Sequence, residues 1–218
     1  MTTKISKENL VEVPAIDIRT IGLRIVGDTP LIVHAWDEKT KREMLEKMMG
    51  KAKSKLRDLK DPFREFIYSM YWLDSKKERW LPEEVTEENL TKYINDGNFT
   101  FGFKSIAFKA SAATGGYRSK VTKNAVDTFG ALYIAGEYVT IKGTPYMRED
   151  MVRVANGAPD IRYRGCFPEW ETELTIKYNA GVFSKEQVVN LFNLGGFTCG
   201  VGEWRPEKKG QFGMYHVG

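Results

Sequence analysis

The chemistry-bearing residues of this chain concentrate in one run, Gly195-Gly196-Phe197-Thr198-Cys199-Gly200-Val201-Gly202-Glu203-Trp204-Arg205-Pro206-Glu207-Lys208-Lys209-Gly210. Glycines let a backbone approach a phosphate closely and expose its N–H groups. Trp204 offers a stacking face, and Arg205, Lys208 and Lys209 supply positive charge. Gly200 and Gly202 are the positions where the closest backbone approach is expected. Gly195 and Gly196 also suit a left-handed helix cap, with the rest of the run as a hairpin loop. The glycine spacing matches neither a dinucleotide fingerprint nor a P-loop, and the run follows a helix instead of opening one after a strand.

Two further groups of cations could act with this run. Lys47, Lys51 and Lys55 recur at i, i+4 and i+8, on one face of an expected helix. Aligned like charges repel unless a polyanion neutralises them, although a solvated face is the ordinary explanation. Lys109, Arg118 and Lys120 lie on and just beyond a second helix that ends in Thr114-Gly115-Gly116-Tyr117-Arg118. Surface cations at a helix end are the alternative reading there.

The residue types that perform chemistry are not arranged for it. His34 and His216 are the only histidines, and neither has metal-ligand spacing or a nucleophile pattern nearby. Cys166 and Cys199 form no zinc pattern and no disulfide framework, so buried free thiols are expected. Carboxylate pairs such as Glu87-Glu88 carry no specific message among 29 acidic residues. No catalytic residues, no metal and no cofactor are expected. A nuclease using scattered carboxylates and a divalent ion is the remaining enzymatic option.

The elements that must position these residues read as α+β. Ile16 to Val26 alternates as a strand, and Gly27-Asp28-Thr29-Pro30 turns the chain. A helix is expected from Asp37 to about Lys60, and another over Phe63–Leu73 with Phe63, Phe66, Ile67, Met70 and Tyr71 as its apolar stripe. A polar, acidic connection from Asp74 to Phe101 holds a short helix around Glu87 to Ile94. Phe103–Arg118 reads as a helix, Ala131–Ala135 and Tyr138–Ile141 as a hairpin, and Thr144–Pro159 as irregular. Strands follow at Ile161–Arg164 and Trp170–Tyr178. Ser184 with Gln187 makes a capping box for the helix running to Leu194, and Phe212–Val217 is the last strand. With Thr29–Gly102 set aside, this is the element order of a ferredoxin-like (RRM-like) antiparallel sheet under two helices. The expected organisation is one domain over 1–218, with a core of about 15–28 and 103–218 and a helical insertion of about 29–102.

Length and charge agree with that reading. A chain of 218 residues buries enough surface to need no staple. No apolar run is long enough to span a membrane, and the first residues lack the apolar core of a secretory signal. The net charge of +4 is mild but segregated. Glu38–Lys60 holds nine Lys/Arg against four acids, whereas Glu83–Asp96 holds five acids against Lys92.

The strand with Gly27-Asp28-Thr29-Pro30-Leu31, the helix segment Ile106-Ala107-Phe108-Lys109-Ala110-Ser111-Ala112 leading to Arg118, and the late glycine loop together resemble the RAMP superfamily. These are ferredoxin-like RNA-binding proteins that form the backbone of CRISPR effector complexes. The resemblance implies roles near RNA for Lys109, Arg118 and the Gly195–Gly202 loop, and copies assembling head-to-tail along a strand. The middle motif lacks the proline and glycine that usually open it. Over nearly its whole length the chain also resembles uncharacterised bacteriophage and prophage proteins, which implies a setting in the host bacterial cytoplasm. The expected partner is single-stranded nucleic acid, RNA or DNA. The alternative is a phage structural or anti-defence protein that acts through host or phage protein contacts.

Overall fold

The alternation of Ile21, Leu23 and Ile25 with Thr20, Gly22 and Arg24 builds the first strand, β1 (Ile18–Gly27), which buries the former set. The computed structural model describes residues 15–35, 45–46, 48–50, 60–80, 83–95, 100–153 and 157–218. The following elements are β2 (Leu31–Val33), α1 (Pro62–Ser69), β3 (Tyr71–Leu73), α2 (Leu90–Asn95), β4 (Thr100–Lys104) and α3 (Ser105–Arg118). The chain continues through α4 (Ala125–Gly130), β5 (Leu132–Ile134), β6 (Tyr138–Lys142), β7 (Tyr146–Arg153), β8 (Pro159–Phe167), β9 (Glu171–Asn179), α5 (Lys185–Thr198) and β10 (Tyr215–Val217).

The main sheet runs in the order β10-β1-β9-β6-β4-β3, with β5 also paired to β9, and every pairing in it is antiparallel. Taking β1, α3, β6, β9, α5 and β10 in chain order gives the β-α-β-β-α-β succession of a ferredoxin-like unit. Helices α3 and α5 pack on each other, and their buried residues Phe108, Ala112, Val188, Leu191 and Phe192 join the sheet's inner side chains in one core. The open side of the central strands carries charge: Glu171 accepts from both Arg24 and Lys142, and Lys142 also reaches Glu173.

A smaller sheet, β2-β8-β7, stands beside the first. The segment expected as a helical insertion therefore supplies strands to both sheets, β2 to the small one and β3 and β4 to the main one. The apolar stripe expected on one helix is divided. Phe66 and Ile67 lie on α1, while Tyr71 belongs to β3, because Met70 is already extended at ψ 154°. Tyr71-Trp72-Leu73 is buried throughout, and a continuous apolar run of three residues satisfies a buried strand as well as a helical turn. Pairing with β4 decides between them.

Thr144–Pro159, expected as irregular, contains β7 and the start of β8. The face that β7 turns inward bears an ion-pair network in place of aliphatic groups, so hydrophobic periodicity does not mark it. Asp150 is buried between Arg148, at 2.8 Å, and Arg164, at 3.4 Å.

The capping box at Ser184 is present as expected: its side chain accepts from the Gln187 N–H, and the Gln187 side chain accepts from the Ser184 N–H. Gly195 and Gly196, in contrast, do not cap α5. The helix continues to Thr198, and a Cβ at Gly195 would lie 2.7 Å from the backbone of Ala112. Gly195 lets α5 and α3 touch along their main chains, and Gly196 lets β10 approach α5.

Candidate nucleic-acid interface

The glycine loop is fastened by backbone hydrogen bonds before any of its side chains act. Val201 N–H donates to the Gly213 carbonyl, Gly213 N–H to Pro30, and Glu203 N–H to Ile32, each at 2.9 Å. Gly200 (φ +62°) and Gly202 (φ +79°) are in the left-handed region, and a Cβ at Gly202 would stand 2.5 Å from the Ile32 carbonyl oxygen. Both glycines, expected to admit a ligand's phosphate, also admit the protein's own backbone: β2 at Gly202 and the Gly213 carbonyl, 2.9 Å from a Cβ, at Gly200.

On this anchored loop, Arg205 is locked in place. Its guanidinium donates to Glu207 at 2.7 and 2.9 Å and to the Gly202 carbonyl at 2.9 Å. The other Glu207 oxygen lies 3.7 Å from Arg118 at the end of α3. One carboxylate therefore joins the two cationic segments that the sequence separates by some 87 positions, from Arg118 to Arg205. Lys208 and Lys209 adjoin Glu207 on a 3-10 turn, Pro206–Lys208, and both are exposed. Lys120, also exposed, follows Arg118 in a left-handed turn (φ +58°). Trp204 is 41% exposed at the outer side of the loop.

Lys109 is not part of this corner. Its ammonium sits 3.9 Å from the centre of the Phe129 ring, and partial burial lowers its pKa below the ordinary lysine value. Lys47, Lys51 and Lys55 lie outside the described residues, as does Trp36.

Between α3 and the loop runs a cleft of about 200 Å³. Ala107, Ala110, Ser111 and Thr114 form its helical wall, and Gly200 to Glu203, Arg205 and Glu207 form the facing wall. Tyr71, Phe103 and His34 close it at the back. Sequence reasoning singled out neither the acids Glu203 and Glu207 nor Tyr71 as site residues. The available signal was the spacing of Ala107, Ala110 and Thr114 at i, i+3 and i+7, a helix face too small in side chains to fill the space before it.

His34, which stands in no metal or nucleophile pattern in the sequence, has its Nδ1 buried without a hydrogen-bond partner among the described residues. Burial foremost, then the charges of Arg164 and Arg162, lower its pKa, while Glu203 acts in the opposite sense. In the unfolded chain the imidazole protonates near the ordinary value of about 6.5. Below that pH the unfolded state binds a proton that the folded state resists, so stability is present above about pH 6.5 and is lost as the pH falls toward the lower folded-state value. His34→Gln should flatten this component. Urea midpoints measured at about pH 7.5 and about pH 5.5 should fall further for the wild-type protein than for the variant; equal falls would mean that His34 titrates normally.

Among the described residues, no group of three or more His, Cys, Asp or Glu side chains could hold a metal ion, and no helix is long and apolar enough to cross a membrane. The cysteines Cys166 and Cys199 are both buried free thiols. The fold and site together define an α+β protein of ferredoxin-like topology whose loop before the last strand packs beside its first core helix. No protein-family model matches the chain, and no curated protein matches it. Among solved structures it is similar to Cmr6 from Pyrococcus furiosus, at 8% identity over 94% of this chain and 100% of that one, with a TM-score of 0.43. The fold assignment rests on the strand order given above.

Proposed function

We propose that this chain is a non-enzymatic protein that binds single-stranded nucleic acid, RNA or DNA, on a RAMP-like scaffold. The observation that carries the reading is the convergence at Glu207: the end of α3 and the glycine loop, far apart in sequence, present Arg118, Lys120, Arg205, Lys208 and Lys209 around one corner beside an open cleft. Phosphates would track the exposed lysines, and Trp204 would stack on a base. Arg205 serves a positioning role, since its donors are already engaged within the loop. The open sheet face is a poorer platform, because its central positions carry the Arg24, Lys142, Glu171 and Glu173 ion pairs where RRM domains carry stacking aromatics. The strand would therefore follow the helical side and the loop. Copies would assemble along it, in the host bacterial cytoplasm if the protein is phage-encoded.

Fluorescence anisotropy of the nuclease-treated protein with labelled single-stranded RNA and DNA, across a salt series, tests this. Binding should weaken steeply with salt, with a slope near −0.7 per phosphate contact, or roughly −3 for four contacts. No binding at low salt would reject the proposal.

A second reading, a structural or anti-defence protein acting through protein contacts, is favoured by one observation. The β7–β8 pair exposes Tyr146, Met147 and Met151 on β7, the edge strand of its sheet, and Ile161 on β8 beside it. Oligomers that survive nuclease treatment and purify free of nucleic acid would select it.

A further inference from the structure

The cleft between α3 and the glycine loop is chemically unlike the cationic corner next to it. At about 200 Å³ it is smaller than the ~300–1,000 Å³ of drug-sized ligand sites, which suits one ring system and not a whole nucleotide. The back is aromatic, through Tyr71 and Phe103, and one wall is made of small side chains, including Ala107 and Ala110. Its acids differ in availability. Glu207 is occupied by two guanidinium groups, whereas Glu203 has a side chain 43% exposed and, among the described residues, one ion-pair partner, Arg164 at 4.0 Å. The Glu203 backbone is held by its bond to Ile32, so the carboxylate is presented from a fixed point.

A carboxylate only accepts hydrogen bonds. It therefore favours a ring edge that presents N–H donors and disfavours one that presents carbonyl oxygens. We propose that this cleft receives one unstacked base of the bound strand and that Glu203 accepts from its amino group, so that a base such as cytosine is preferred over uracil. The inference rests on the nucleic-acid reading above and adds base selection to it. Phosphate contacts at Lys120, Lys208 and Lys209 are blind to the base and cannot produce such a preference.

Labelled oligocytidine and oligouridine of equal length carry the same charge and backbone, so their affinity ratio isolates the base. The wild-type protein should bind oligocytidine about tenfold more tightly. Glu203→Gln, whose amide both donates and accepts, should bring the ratio close to one while leaving the salt slope for oligouridine unchanged. A merely structural effect of that variant would weaken both oligomers alike and keep their ratio. Ala110→Phe, which fills the cleft from the surface of α3, should also remove the preference and retain oligouridine binding. Equal wild-type affinities, or a preference that survives Glu203→Gln, would overturn the base pocket and leave the nucleic-acid reading standing. Failure of both oligomers to bind at low salt would overturn the two together.

Discussion

Changing Lys120, Lys208 and Lys209 together to glutamate should lower affinity for single-stranded RNA or DNA on the order of 100-fold at low salt and reduce the salt slope by about 2, the loss expected when three phosphate contacts of ~0.7 each disappear. All three side chains are exposed, and none has an ion-pair partner among those described, so their removal costs the fold little. Anisotropy across a salt series reads the effect, and an unchanged unfolding midpoint confirms that the variant is folded. The loss should be alike for all sequences, because phosphate contacts position a strand without reading it. Binding that survives the triple substitution would place the interface elsewhere. The companion variant, Lys51→Glu with Lys55→Glu, then tests the basic segment that lies outside the described residues. Its prediction is also a sequence-independent loss.

A large effect on stability is expected at Gly196. A Cβ there would fall 1.8 Å from the carbonyl oxygen of Tyr215, a backbone atom that cannot rotate aside. Tyr215 is itself wholly buried and donates its hydroxyl to Ser111 on α3 at 3.1 Å, so β10 cannot retreat without disturbing the helix pair. Alanine improves helix propensity by ~1 kcal/mol, but overpacking costs ~1–3 kcal/mol and more when main-chain atoms must move. With the clash on main-chain atoms the cost falls at the upper end of that range, so Gly196→Ala should lose about 2 kcal/mol net. Gly195→Ala should follow it in direction, since its Cβ would meet Ala112 and Ser111 main-chain atoms at 2.7 Å. Gly130→Ala is the control: it ends α4 with nothing within 4 Å of the added carbon and should be neutral or slightly stabilising. Urea denaturation with an unchanged m-value would report these differences as stability alone. A neutral Gly196→Ala would mean that the α5–β10 contact is looser than its geometry indicates.

Local signals and tertiary ones divide cleanly along this chain. The alternation of β1, the capping box at Ser184, the two long core helices and the ferredoxin-like order are written in neighbouring residues, because strand pleat, helix period and cap hydrogen bonds are all satisfied within a few positions. So was the concentration of glycine and cationic residues from Gly195 to Gly210. What neighbouring residues left open was decided by partners distant in sequence. Tyr71-Trp72-Leu73 became a strand because β4 was there to pair with it, and β7 formed around a buried Asp150 held by arginines on two strands. Gly195 and Gly196 read in sequence as a helix cap or as room for a phosphate, whereas in the fold their close neighbours are the main chains of α3 and β10. The candidate site shows the same division. Arg118, Arg205, Lys208 and Lys209 were legible as cations, but only the fold could bring Arg118 to Glu207, detach Lys109 onto Phe129 and open a cleft along Ala107, Ala110 and Thr114. Charge type is a property of a residue, whereas proximity and empty volume belong to the packing of segments that the chain keeps far apart.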